Sequence, residues 1–86
     1  MDITFSRSVS WHFDSDSISF HAVADTKRIT CIVSQEFLTA PVVRLLSEPE
    51  ALELFKTRRS EIESIIRKRI EKNAFDSPGK IVIKTK

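Results

Sequence analysis

Two runs of alternating residues, 17–24 and 28–33, constrain the fold of this chain more than any other feature. In each run, hydrophobic side chains occupy every second position, which is the pattern of a β-strand that buries one face. The short segment Asp25-Thr26 separates the two runs. The pattern therefore predicts a β-hairpin.

The hydrophobic pattern also predicts how the two strands pair. For both sets of apolar side chains to share one face, the numbers of paired residues must have an odd sum, and a loop centred on the turn gives 51. This register places Cys31 opposite Phe20 on the apolar face and puts His21 on the other face. A two-residue type I′ turn would require a positive φ at Thr26, so we expect a four-residue loop of residues 24–27 with the same pairing.

A capping box marks the start of a long helix. Ser47 is a favourable N-cap residue, Glu50 follows three residues later, and Pro49 lies in the first turn, where its missing N–H costs nothing. Apolar residues then recur at helical spacing to about Asn73. The centre of this stripe is formed by Phe55, Ile62 and Ile66. The helix is therefore expected to lie on a hydrophobic core.

Weaker signals complete the chain. A shorter helix is predicted after Ser34, whose hydroxyl can cap it, and Pro41 is predicted to kink or divide that helix. Residues 3–5 and 81–83 have the pattern of short strands. The serine-rich segment 6–17 is typical of a loop, with an irregular strand as the alternative.

These elements together predict one α+β domain over residues 1–86. Their order is β-β-β-α-α-β, and the predicted architecture is a small antiparallel sheet of three to four strands with two helices packed on one face.

The composition excludes several classes of enzyme. The chain of 86 residues contains one glycine, whereas the phosphate-binding loops need at least two, and its single cysteine excludes a disulfide framework. Two histidines and no tyrosine leave few general acids and bases. We therefore expect a protein that is not an enzyme and that binds no cofactor.

Cys31 is the candidate nucleophile, but the hairpin register separates it from His21, whereas nucleophilic catalysis needs the two within hydrogen-bond reach. His12, in the serine-rich segment, is the alternative partner for the thiol. The same separation argues against a metal site built from these three residues, because zinc needs at least three converging protein ligands. We expect Cys31 to be a buried structural residue.

Positive charge is concentrated toward the C-terminus. Residues 56–86 contain ten Lys and Arg against four acids, whereas residues 1–55 contain four against eight. A basic segment of this kind can bind nucleic acid. The cluster Arg67-Lys68-Arg69 lies on the predicted helix, where neighbouring side chains point about 100° apart. Weak nucleic-acid binding by the basic C-terminal third is therefore the alternative to a non-catalytic interaction or regulatory module.

The apolar stripe of the long helix contains one charged residue, Arg59. Its helical angle falls between those of Ile66 and Ile70, and Glu63 lies four residues farther along the helix. We predict an ion pair between Arg59 and Glu63 at the margin between the helix and the sheet. The pair is a candidate structural link or a candidate partner-binding site, and the sequence leaves both open.

These residues together resemble a family of small bacterial proteins known only as domain of unknown function number fourteen eighty-eight. The similar features, in chain order, are Ile3-Thr4-Phe5, Ile18, Phe20, Cys31-Ile32-Val33-Ser34, Leu38, Phe55, Arg59, Ile62-Glu63, Ile70, Gly79, Ile81 and Ile83. The resemblance covers nearly the whole chain. It implies a compact α+β domain without an assigned activity, and it marks Arg59 and Glu63 as a family pattern with no assigned role.

The expected location and partners follow from the remaining features. The first residues lack the basic and apolar segments of a secretory signal, and no apolar run is long enough to span a bilayer, so we expect a cytoplasmic protein. Exposed sheet edges favour a homodimer, whereas the lysines of the final strand oppose pairing at that edge. The expected partner is a second copy of the chain or an unidentified protein, with nucleic acid less favoured.

Overall fold

The computed structural model describes residues 2–12, 14–39 and 47–84 of the chain. The strands are β1 (Ile3–Phe5), β2 (Ser10–His12), β3 (Ser17–Ala24), β4 (Lys27–Ser34) and β5 (Lys80–Ile83), and the helices are α1 (Gln35–Thr39) and α2 (Glu48–Glu71). All five strands belong to one sheet. The predicted α+β class is confirmed, and the kink predicted at Pro41 lies outside the described residues.

The hairpin of β3 and β4 has the predicted register. Phe20 pairs with Cys31 and His21 pairs with Thr30, and every pair of the ladder has the expected sum of residue numbers, 51. The apolar side chains of both strands therefore share one face, as the alternation requires.

The hairpin turn is tighter than predicted. Ala24 pairs with Lys27, which leaves a two-residue turn in place of the expected loop of residues 24–27. Asp25 takes the positive φ of this turn, at 58°. A short polar side chain tolerates this region better than a β-branched one, so the strain predicted for Thr26 does not arise.

Two short strands share one edge of β3, where the sequence analysis predicted a strand followed by a loop. β1 pairs antiparallel with residues 22–24, and β2 pairs antiparallel with residues 17–19. Trp11, at the centre of β2, is buried opposite Ile18. The irregular-strand alternative is therefore correct. The sheet has five strands rather than three to four, because the eight residues of β3 are enough to pair with two three-residue strands in succession.

The last strand, β5, runs parallel to β4, so the sheet is not entirely antiparallel. Both helices lie between these strands in the chain, and such a crossover brings the chain back in the direction of the earlier strand. The prediction of a fully antiparallel sheet is wrong for β5, because alternation within a strand carries no information about its direction.

One hydrophobic core lies between the helices and one face of the sheet, so the prediction of both helices on one face is confirmed. The sheet contributes Ile18, Phe20, Ala22, Ala24, Ile29, Cys31, Val33, Ile81 and Ile83. The helices contribute Phe37 and Leu38 of α1 and Ala51, Phe55, Ile62, Ile66 and Ile70 of α2. The opposite face of the sheet has no described helix on it.

The caps of the two helices are those predicted. The Ser47 hydroxyl accepts from the Glu50 N–H at 3.4 Å, and a Glu50 carboxylate oxygen accepts from the Ser47 N–H at 3.4 Å, which completes the capping box. The hydroxyl of Ser34 accepts from the Phe37 N–H at 3.4 Å at the start of α1. Helix α2 thereby begins directly after its N-cap Ser47.

Candidate functional site

The guanidinium of Arg59 links helix α2 to the segment that follows β1. Its Nε donates to Oε2 of Glu63 at 2.7 Å, and its Nη2 donates to the carbonyl oxygen of Ser6 at 2.7 Å. The guanidinium carbon also lies 5.9 Å from the ring centre of Phe20 and 5.4 Å from that of Phe55. The two side chains of the ion pair are 29% and 27% exposed, so the pair lies at the margin of the core.

The local backbone explains why the Ser6 carbonyl is available to Arg59. The Ser6 N–H donates to the His21 carbonyl at 2.8 Å, as in a continuing ladder. The His21 N–H, however, donates to the Ser6 hydroxyl at 3.1 Å. The side-chain oxygen thus stands in for the backbone oxygen, and the carbonyl turns toward the helix. Arg59 therefore stabilises the break in the edge between β1 and β2.

The predicted basic cluster of α2 is dispersed by the fold. Arg67 places its guanidinium carbon 5.4 Å from the ring centre of Phe5, whereas Lys68 is exposed to solvent. Arg69 donates to the Val82 carbonyl at 2.9 Å and to the Ala74 carbonyl at 3.1 Å. These three neighbours accordingly have three different environments and do not form one basic patch.

The outer edge of β5 is occupied by side chains of the same protein. Oδ2 of Asp76 accepts from the Val82 N–H at 2.6 Å and from Nη2 of Arg69 at 3.1 Å, while Arg69 also binds the Val82 carbonyl. The hydrogen bond from the Val82 N–H is the main cause that lowers the pKa of the Asp76 carboxyl, and the charge of Arg69 lowers this pKa further. Because both backbone groups of Val82 are bonded, β5 is a poor edge for pairing with another strand.

Cys31 is buried and lies in an apolar environment. Its Sγ has a backbone contact with the Ile29 carbonyl at 3.9 Å, and burial raises the pKa of the thiol to about 12. His12 and His21 lie on the opposite face of the sheet, since they pair with Ser17 and Thr30. The structure therefore keeps both histidines apart from the thiol, and no nucleophile–base pair is formed by these residues.

We call the side of the sheet on which no described helix packs the open face. Its strand residues are Thr4, Ser10, His12, Ser17, Ser19, His21, Val23, Arg28, Thr30, Ile32, Ser34, Lys80 and Val82. Nε2 of His12 lies 2.6 Å from the Ser19 hydroxyl, and Nη2 of Arg28 lies 3.4 Å from Nδ1 of His21. None of these thirteen strand residues is acidic, so the open face is polar and cationic with a small apolar part.

A groove of about 510 Å³ lies at one side of the open face. It is lined by Thr4, Phe5, Ser6, Ser8, His21, Val23 and Arg28. We call it the Arg28 groove. The groove lies beside the Arg59 contact, because Ser6 belongs to both.

Two further kinds of site, a metal site and a membrane-spanning helix, are absent from the described part of the chain. Within residues 2–12, 14–39 and 47–84, no group of three or more His, Cys, Asp or Glu side chains could hold a metal ion. None of the helices in these ranges combines the length and the apolar character needed to cross a bilayer.

The fold and this surface define a small α+β domain that has one helix-covered face and one open, polar face. The model of a protein family described as a protein of unknown function, DUF1488, matches residues 3–83. The chain belongs to the DUF1488 family, as its resemblance to that family indicated.

A solved structure supports the same assignment. The crystal structure at 1.60 Å resolution of a DUF1488-family protein of unknown function from Shewanella loihica PV-4 is 31% identical to this chain. The match covers 99% of this chain and 97% of that chain, with a TM-score of 0.83. No curated protein matches the sequence.

The Arg59–Glu63 contact was predictable from the sequence, whereas the Arg28 groove was not predicted. The four-residue spacing and the position of Arg59 in the apolar stripe were sufficient signals for the ion pair. The signal for Arg28 was also present, since the hairpin register already puts it on the same face as His21. No sequence pattern indicated the contribution of Ser6. Its hydroxyl accepts from the backbone N–H of His21, which belongs to another strand.

Proposed function

We propose that this protein is a non-catalytic interaction module that contacts another protein through the open face of its sheet. The observation that carries the proposal is the unequal covering of the sheet. Both described helices pack on one face, whereas the open face carries Val23, Ile32 and Val82 among polar side chains with no described helix over them. Val23 is 38% exposed, more than any other large hydrophobic side chain among the described residues.

The arrangement of titratable groups supports a non-catalytic role. Cys31 is buried with a raised pKa, which disfavours the thiolate that a nucleophile needs. The two histidines are on the other side of the sheet from that thiol. The Arg59–Glu63 pair is already engaged with Ser6 and two phenylalanine rings, so its contacts favour a structural role over direct binding.

A second copy of the chain and a different protein are both partners that an experiment can identify. Pairing of two copies through the β5 edge is disfavoured, because Asp76 and Arg69 occupy that edge. A homodimer would therefore use the open face or the short edge strands.

Site-specific photo-crosslinking tests the proposal. A benzophenone amino acid replaces Val23 on the open face, and the same amino acid replaces Ser64 on the exposed side of α2 as the matched control. We expect light-dependent adducts to protein in cells from position 23 and none from position 64. An adduct of twice the mass of the chain identifies a homodimer. Adducts from position 64 alone, or none from position 23, would contradict the proposal.

Nucleic-acid binding through the basic C-terminal third is the alternative. Dispersal of Arg67, Lys68 and Arg69 weakens its support, because no single surface collects their charges. A titration with single-stranded and double-stranded DNA and RNA at low salt tests it, since phosphate contacts are strongest there. Absence of binding at low salt excludes the alternative, whereas tight and salt-sensitive binding would replace the proposed function.

A further inference from the structure

We infer that the open face binds an acidic segment of a partner protein, with Arg28 as the principal contact for a carboxylate. This inference rests on the proposed function and adds the chemistry of the partner. It starts from the Arg28 groove, where a cationic side chain lies among hydroxyl groups and one histidine.

Arg28 differs from Arg59 and Arg69 of helix α2. Arg59 is paired with Glu63, and Arg69 is paired with Asp76 and two backbone carbonyls. Arg28 is exposed, and in the described residues its guanidinium contacts the His21 ring and no carboxylate. A guanidinium presents its N–H groups as a planar fork that matches the two oxygens of a carboxylate. The side chain is thus chemically suited to an acidic group supplied by a partner.

The surroundings of Arg28 add further hydrogen-bonding groups. Thr4 and Ser8 bring hydroxyls to the groove, and His21 brings a ring nitrogen. Val23, directly opposite Arg28 in the ladder, adds an apolar contact. A segment with acidic and aliphatic side chains would therefore meet matching groups along the groove.

The charge distribution of the open face favours an anionic partner. Arg28 and Lys80 are its charged strand residues, and none of its strand residues is acidic. Asp25 belongs to the hairpin turn, where its carboxylate accepts from the Asp2 N–H at 3.3 Å. An acidic segment lying across the strands would meet no like charge there, and such complementarity favours specific association.

The same face is poorly suited to nucleic acid. Its strands offer two full positive charges, whereas affinity for nucleic acid grows with the number of phosphates that are neutralised. Its strand residues include no Phe, Tyr or Trp, whereas single-stranded nucleic acid binds largely by stacking on aromatic rings. The aliphatic side chains of Val23, Ile32 and Val82 favour a polypeptide instead.

Fluorescence anisotropy with a defined peptide tests the inference. The probe is a short fluorescein-labelled peptide in which Glu alternates with Ser and Val, and the control probe has Gln in place of every Glu. We expect the full-length protein to bind the Glu peptide and not the Gln peptide. Arg28→Glu should raise Kd by about tenfold or more, and Arg28→Gln should raise it by a smaller factor. Lys56→Glu, an equal charge change on exposed α2, should change Kd by less than about twofold.

Amide chemical-shift mapping locates the contact. We expect the Glu peptide to shift the resonances of Thr4, His21 and Thr30 and to leave that of Ser64 unchanged. Circular dichroism of Arg28→Gln and Arg28→Glu checks that both variants are folded, as expected for an exposed residue.

Several results would overturn the inference: no binding of the Glu peptide, equal binding of the Gln peptide, equal weakening by Lys56→Glu, or tighter binding of single-stranded DNA than of the peptide. The crosslinking experiment at position 23 tests the proposed function independently of the peptide. If the Glu peptide fails while position 23 still crosslinks to protein, the open face binds a partner that is not acidic. If both fail, the interaction surface lies elsewhere.

Discussion

Replacement of Arg59 by alanine is the most informative single perturbation of this fold. The side chain donates to the Ser6 carbonyl at 2.7 Å and to Glu63 at 2.7 Å, and its guanidinium lies over Phe20 and Phe55. Truncation removes all of these contacts at once. It also leaves the Ser6 carbonyl to find a water molecule in place of a charged donor.

The expected loss of stability can be worked from these contacts. A hydrogen bond to a charged group contributes about 1.5–3 kcal/mol, and the lower end applies because the Arg59 side chain is 29% exposed. The partly exposed ion pair between Arg59 and Glu63 adds about 0.3–0.5 kcal/mol. We therefore expect Arg59→Ala to lower the free energy of unfolding by about 2 kcal/mol. For a domain of this size, with an m-value of roughly 1 kcal/mol/M, the urea midpoint should fall by about 2 M.

Equilibrium unfolding in urea, followed by the fluorescence of Trp11, measures this loss. Arg59→Met keeps an aliphatic stem but no donor, so the difference between Met and Ala reports packing alone. Glu63→Ala should cost only about 0.3–0.5 kcal/mol, because Arg59 keeps its bond to Ser6. Lys56→Ala, on the exposed side of α2, is the matched control and should leave the midpoint unchanged.

An unchanged urea midpoint for Arg59→Ala would refute this reasoning. The contact with Ser6 would then contribute nothing, and the break between β1 and β2 would be held by other groups. In that case Arg59 would become a candidate binding residue, since no structural contribution would explain its place in the apolar stripe.

Three further predictions address the β5 edge, the buried thiol and the hairpin turn. The pKa of Asp76 is lowered in the fold, so its carboxylate stabilises the native state above the ordinary carboxyl value of 3.8 and loses this contribution as pH falls through the lower folded value. The difference in urea midpoint between wild type and Asp76→Asn should therefore be largest near neutral pH and shrink in acid; a constant difference would contradict it. Cys31, with a pKa of about 12, should resist iodoacetamide at pH 8 in the native state and react once unfolded in guanidinium, as followed by mass spectrometry. Rapid alkylation of the native protein would show that the thiol is accessible. Asp25 has a φ of 58°, so Asp25→Val should lower the free energy of unfolding by about 1–2 kcal/mol, whereas Asp25→Gly should be tolerated. Equal midpoints for the Val and Gly variants would mean that the turn relaxes.

The features that the sequence determined by itself are those with a local period or a local motif. Alternation in two adjacent runs was enough to predict the pairing of Phe20 with Cys31, because a slip of one residue would expose every apolar side chain. Ser47 and Glu50 were enough to predict the start of α2, because both donors of the capping box lie within one turn. The spacing of Arg59 and Glu63 predicted their contact for the same reason.

The tertiary structure decided the features that join distant parts of the chain. The direction of β5 depends on how the two helices cross the sheet, and nothing within residues 80–83 records it. The turn length was decided by which residue of the pair could accept a positive φ, and the chain placed it on Asp25.

The candidate surfaces were decided in the same way. Ser6 and Arg59 are 53 positions apart, and Arg69 reaches the backbone of a strand that follows a turn. Thr4, Ser8 and Arg28 meet in one groove only because β1 and β4 flank the same strand. A hydrogen bond to a backbone carbonyl requires no particular residue type at the acceptor, so these contacts leave no pattern in the sequence and exist only in the folded chain.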